Sequence, residues 1–285
     1  MGRRIIGSHV LLRRPWLLLG GALICILVAL AIGAPMFAPH DPLKQNRDGL
    51  VLGGAPAPPG RRYVLGADSR GRDVLSRLLH GARLSLAVGL GGTAVAMALA
   101  LGVGVSAGFF GGTADRFLMR CTDIVMAFPA ILLAVALAAA LPQRNVVTLV
   151  LVVGFLNWAA PARVFRSETL TLRERLYVEA ARSLGAGEFR TLVRHVLPHL
   201  APTALVLASL ATASTVLLDA GLSFLGVGIP APAPTWGSML HEAQTWYSVA
   251  PWLAFWPGAA VVVTVAAFNL IAFDLSRPGR AGEPR

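Results

Sequence analysis

Residues 162–199 read ARVFRSETLTLRERLYVEAARSLGAGEFRTLVRHVLPH. Seven arginines fall between Arg163 and Arg194, which places the segment outside any lipid phase. Leu170, Tyr177, Ala181 and Leu184 share one helical face, interrupted by Arg173, Glu174 and Arg175. Gly185 and Gly187 then stop the helix, as a glycine in the left-handed conformation does beyond a C-terminus. Phe189, Leu192, Val193 and Val196 recur at i, i+3, i+4 and i+7, so a second short helix follows, and Leu197-Pro198 ends it. Two short helices held at an angle outside a bilayer are an arrangement that a partner surface would explain.

On either side of this segment the chain changes character. Six uncharged apolar stretches, Leu17–Phe37, Leu84–Phe110, Ile124–Leu141, Val146–Ala162, Leu200–Leu218 and Ser248–Phe273, approach or exceed the roughly 17–25 residues a helix needs to cross lipid. Arg3, Arg4, Arg13 and Arg14 precede the first, as they would a signal peptide. Its apolar run is longer than the roughly 7–15 residues of a signal core, and it is read as a retained span. Over 285 residues, 55% are hydrophobic and 14% charged, with a mean hydropathy of +0.67. A soluble domain carries about a quarter charged residues, so an ordinary soluble enzyme is excluded, and disorder with it. The formal charge of +11 does not mean nucleic acid, because the basic residues sit in short stretches between uncharged runs. Cys25 and Cys121 fall in or beside apolar runs and indicate no disulfide framework. Lys44 is the only lysine and Gln45 follows it, so the chain has no phosphate-binding loop of the glycine-rich Lys-Ser/Thr type.

Basic residues orient the spans. With the N-terminus inside, sixteen Lys and Arg lie on inner segments and eight on outer ones. This predicts an inner N-terminal tail (1–16), a first span (17–37), an outer loop (38–83), a core of five spans (84–274) with the polar loop 163–199, and an inner tail (275–285). Prolines make the start of the outer loop irregular. From Val74 to Leu86 an apolar stripe at helical spacing, with Arg72, Arg77 and His80 off it, predicts an interfacial amphipathic helix. Gly92, Ala96, Ala100, Gly104 and Gly108 recur every four residues, a face on which helices approach closely in lipid. Whether its partner is in this chain or another stays open here.

Glu179-Ala180-Ala181, three residues, Gly185, nine residues, His195, one residue, Leu197-Pro198 resembles the EAA loop of permease subunits in binding-protein-dependent ABC importers. The family pattern has Ile where this chain has His195. LGADSRGRDVLSRLLHGARLSLAVG (65–89), GFFGGTADRFLMRCTDIVMAFPAILLA (108–134) and LLDAGLSFLGVGIPAPAPTWGSML (217–240) are similar to the C-type permease of dipeptide, oligopeptide and nickel importers. The resemblance implies an all-α integral membrane protein of six transmembrane helices with the type I importer permease fold. It implies a bacterial inner membrane, a homologous second permease, two ATPase domains and an extracytoplasmic solute-binding protein. It implies surrounding lipid, no nucleic acid, no cofactor bound by this chain, and ATP and Mg in the partner subunits. The EAA helix would be a coupling helix seated in an ATPase groove: Glu179 and Arg182 for polar contacts, Ala180 and Ala181 to keep it slim, and Gly185 for the turn. Leu184, Leu197 and Pro198 complete the motif. Peptide is the solute class implied by family frequency, with nickel, glutathione and haem as alternatives.

Asp219, where family members have Glu, is a candidate for gating or for the solute pathway, against a plain role in stabilising the loop that follows it. Asp123 is read as an interfacial ion pair with Arg116 or Arg120. His195 and His199 are four apart, but Pro198 between them and the lack of a nearby carboxylate argue against a metal. The six tryptophans fall near span ends, as an aromatic belt does, with Trp236 and Trp246 also candidates to meet a binding protein or solute. No nucleophile–base pair stands out, and no catalytic residue is assigned. A self-sufficient secondary transporter would show repeats and buried ion-coupling residues; only Asn157 and Asn269 lie well inside spans. A membrane-embedded enzyme would need a catalytic pair at depth, and none is seen.

Overall fold

The computed structural model describes residues 14–51, 53–141 and 143–277, and every regular element among them is helical. Pro15 starts α1 (Pro15–Ile32) at the first helical position, where its missing N–H is not needed. One further turn, α2 (Ala34–Phe37), follows Gly33. The expected tails fall largely outside the described residues, at 1–13 and 278–285.

An irregular segment then leads to α3 (Val74–Phe110), capped by Asp73, which accepts from the Ser76 N–H at 2.8 Å. The amphipathic helix expected ahead of the second span is the first turns of this one continuous helix, and its polar side is covered by protein. Its Arg77 is 1% exposed and Arg72, just before it, 2%, because both guanidiniums are neutralised inside the protein rather than by water.

The third apolar stretch is not straight. Pro129 lacks an N–H and forces Phe128 into extended geometry, so α4 (Gly112–Ala127) turns by 90° into α5 (Ala130–Ala140). The fourth bends by 47° between α6 (Val146–Asn157) and α7 (Ala159–Arg173), with Pro161 in the first turn of α7. It runs on well past Ala162. After the short helix α8 (Leu176–Ser183) comes α9 (Glu188–Phe224), 37 residues long. Leu197-Pro198 was expected to end a separate helix, yet α9 continues through it. Leu192–Val196 widens into a π turn in which the Leu197 N–H donates to the Leu192 carbonyl, and the helix passes Pro198 without a break. α10 (Trp236–Ala243) and α11 (Trp252–Ser276) complete the chain. Four helices are long and apolar enough to cross a membrane, and six spans result if each bent pair counts as one.

α3 lies at the centre, packed along α6, α7 and α9, while α11 bridges α9 and α1. The small-residue face of α3 finds its partner within this chain. A Cβ on Gly92 would meet Val153 at 2.5 Å, and one on Gly108 the Arg166 carbonyl at 2.6 Å; the helices are as close as glycine allows. Thr93 and Thr215 Oγ1 atoms lie 3.1 Å apart and both donate to the Gly89 carbonyl at 2.8 Å, fastening α3 to α9. The molecule therefore has a loop end, holding residues 38–73 and α10, and an opposite end that carries α8.

Candidate coupling site

At the α8 end, Val178 is fully buried among Phe109, Phe165, Val196 and Leu200, so one side chain roots the short helix in the bundle. Leu176 is 83% exposed, Leu184 88% and Phe189 79%. The stripe expected through Leu170, Tyr177, Ala181 and Leu184 is thus out of phase. That register spans the turn at Glu174-Arg175, where α7 ends and α8 begins in a new direction, and no helical register survives such a break. Of the second stripe, Val196 is buried and Leu192 half-buried, while Phe189 and Val193 are exposed together, so the four do not form one buried face.

α8 ends on Gly185, with φ +83°. The Gly185 N–H donates to the Arg182 carbonyl at 2.9 Å and the Ala186 N–H to that of Ala181 at 3.0 Å, the paired bonds of a glycine-terminated helix. Arg182 Nη2 donates to Glu188 Oε2 at 3.1 Å and its guanidinium lies 5.3 Å from the centre of the Phe109 ring. Phe109, Phe110, Arg173, Glu174, Arg182 and Glu188 line an open groove of about 590 Å³ beside it. Glu179, Ala180 and Pro198 are exposed, Ala181 and Leu197 half-buried. The expected site residues thus lie on or flank one projecting element, with Leu197 and Pro198 in the following helix. His199 stacks on Tyr177 at 5.2 Å and its Nδ1 lies 2.9 Å from the His195 carbonyl. Among the described residues no three His, Cys, Asp or Glu side chains gather to hold a metal.

Asp219 belongs to the other end of α9. It is 1% exposed, and its Oδ1 and the Ser223 Oγ one turn on have no hydrogen-bond partner. Trp236, a candidate surface residue by sequence, is 1% exposed; it holds the loop end together by donating through Nε1 to the Leu78 carbonyl at 3.2 Å. Asp123 pairs with neither Arg116 nor Arg120 but with Arg163, at 2.5 Å, because α4 lies alongside α7.

Two ion-pair systems escaped the sequence reading. At the loop end Asp68, Arg72, Arg77 and Glu242 form one network: Arg72 Nε donates to Asp68 at 2.6 Å, Arg72 Nη2 to Glu242 at 2.7 Å, and Arg77 Nη1 to both, reaching Glu242 at 2.6 Å. Burial raises the Glu242 carboxyl pKa, but the hydrogen bonds and charge of Arg77, with the charge of Arg72, outweigh it and hold the group below its ordinary value. At the α8 end, Arg163, Arg166 and Arg173 run down α7. Asp115 meets Arg166 and Asp123 meets Arg163; aspartates eight residues apart facing arginines three apart share no helical spacing, so nothing in the sequence pattern announces the pairing.

Residues 100–276 match the family model of the binding-protein-dependent transport system inner membrane component, and residues 8–59 that of the N-terminal TM domain of oligopeptide transport permease C. The glutathione transport system permease protein GsiD of Pectobacterium atrosepticum is 37% identical over 274 residues, 96% of this chain and 87% of that protein. The di/tripeptide transport system permease protein DppC of Pseudomonas aeruginosa is 38% identical over 259 residues, 90% and 85% of the two chains. With a helical bundle of four to six candidate membrane spans and matches along nearly its whole length, the chain belongs to the family of inner membrane permeases of binding-protein-dependent ABC importers.

Proposed function

We propose that this chain forms half of the translocation pathway of an ATP-driven importer of short peptides, glutathione included, and is itself non-catalytic. The observation that carries the reading is α8: a projecting helix rooted by one buried residue, Val178, with Leu176, Leu184 and Phe189 left uncovered. Exposed apolar residues around a charged rim mark a protein contact. The partner is an ATPase domain, one of two, which holds ATP and Mg. The other half of the pathway is a homologous permease, and an extracytoplasmic binding protein delivers the solute. The α8 end is cytoplasmic. Arg14 Nη1 lies 3.5 Å from the Asp274 carbonyl, so the described chain begins and ends at one end of the bundle, and both termini are assigned to the cytoplasm. ATP binding closes the ATPases, α8 moves with them, and the bundle alternates between outward and inward openings.

Relatives that carry glutathione and di/tripeptides support one solute class, since glutathione is a tripeptide. Affinity purification from native membranes in mild detergent tests the reading: a second permease and ATPase subunits should follow the chain. Recovery of this chain alone, or ATP hydrolysis by it alone, would sink the proposal.

A further inference from the structure

Arg163, Arg166 and Arg173, at spacings of three and seven, share one face of α7. Arg166 holds Asp115 with two nitrogens, Nη2–Oδ2 being 2.6 Å and Nε meeting Oδ1. Arg163 Nη2 donates to Asp123 at 2.5 Å. Arg173 Nη1 donates to the carbonyls of Gly108 and Phe109 at 3.1 and 3.3 Å, at the C-terminus of α3 where carbonyls have no partner in the helix. α7 is thus fastened to α4 at two points and to α3 at a third, and α8 begins three residues beyond Arg173. Beyond the 90° elbow, α5 buries Ala134 against Val88, Leu149 and Leu222. Ile131 Cδ1 is 3.6 Å from where a Cβ on Gly221 would sit, two residues from Asp219. The bonded and packed parts form an unbroken chain from the exposed coupling helix to the buried carboxylate at the loop end of α9.

We propose that Arg166–Asp115, backed by Arg163–Asp123, acts as a positioning pin that makes α7 and the α4–α5 elbow move as one body with α8. A displacement of α8 then reaches α9 beside Asp219 through α5. The Arg166 fork fixes direction as well as distance, which a single point contact would not. The proposal rests on the importer reading above.

The test uses the assembled importer in proteoliposomes, with both permeases, the ATPases and the binding protein, and reads glutathione and a di/tripeptide mixture taken up per ATP hydrolysed. Asp115→Asn should lower that ratio about tenfold while ATP hydrolysis changes less than about twofold, and the exchange of charges in D115R/R166D should recover it to within about threefold. A merely structural role would lower assembly and hydrolysis together and leave the ratio alone. An unchanged ratio in Asp115→Asn overturns the pin, as does a charge exchange that recovers none of the loss. If Asp115→Asn fails to assemble, Arg166→Lys, which keeps the charge and removes the fork, is read in its place by the same criterion. Wild-type proteoliposomes that hydrolyse ATP with no uptake would instead overturn the importer reading beneath it.

Discussion

The two ends of the bundle handle charge in opposite ways. At the loop end Arg72 and Arg77 are 2% and 1% exposed, and the side chains of their partners Asp68 and Glu242 are 5% and 22% exposed. On and beside α8 the side chains of Arg182 and Glu188 are 38% and 61% exposed. A buried charge stripped of its partner costs several kcal/mol, whereas an exposed pair breaks for less than about 1 kcal/mol. The loop end therefore has one stable arrangement and serves as a fixed frame. The pair between Arg182 and Glu188 holds the turn after α8 only weakly.

The contrast is broken most directly at Arg77. Arg77→Ala leaves Asp68 and Glu242 buried with one guanidinium fewer and should destabilise the chain by about 3–5 kcal/mol. The expected result is a large fall in the thermal midpoint in detergent, with a low yield of folded protein. A midpoint close to that of the wild type would mean the loop end is no frame.

Gly185→Arg is next. A Cβ there meets nothing within 4 Å, so the penalty is the φ of +83°, about 1–2 kcal/mol on a local turn. Membrane insertion should survive while uptake is abolished, because the turn sets the direction of α8. Normal uptake would refute the assignment of α8 as the coupling element.

Both substitutions stand on residues that were unequally legible. Gly185 announced itself through its setting, a glycine after an amphipathic run. The apolar stretches fall on α1, α3, α5, α6, α9 and α11 but miss most of α4 (Gly112–Ala127), since lipid leaves an apolar backbone few alternatives to helix. Arg77 did not announce itself, because an arginine off an apolar stripe looks the same whether it faces water or a carboxylate more than 160 residues away. The elbows at Phe128-Pro129 and Trp158 were carried by Pro129 and Pro161. Whether a proline bends, ends or is absorbed depends on neighbours, as the unbroken passage of α9 through Pro198 and Pro202 shows. The small-residue ladder of α3 gave its spacing but not its partner for the same reason.

A titration sharpens the comparison. The folded Glu242 pKa lies below the ordinary 4.5, so its contribution is complete above that value and is lost as pH falls through the folded pKa. Wild-type thermal midpoints should decline below about pH 4.5, and Glu242→Gln should start lower and decline less steeply. Equal slopes would mean that the acid sensitivity comes from other carboxylates.

The smallest effect belongs to Arg182. Arg182→Ala removes an exposed pair and a cation–π contact at 5.3 Å, together about 1 kcal/mol or less. Glu188→Ala removes the pair alone, so the difference between the two isolates the contact with Phe109. In the isolated chain both should melt within a few degrees of the wild type. A loss on the scale of Arg77→Ala would show that the α8 turn is held as firmly as the loop end, and the contrast between the two ends would fall. A small loss in the isolated chain together with a large loss of ATPase capture would show the opposite. It would place the work of Arg182 between the subunits, where Leu176 and Leu184 also lie uncovered.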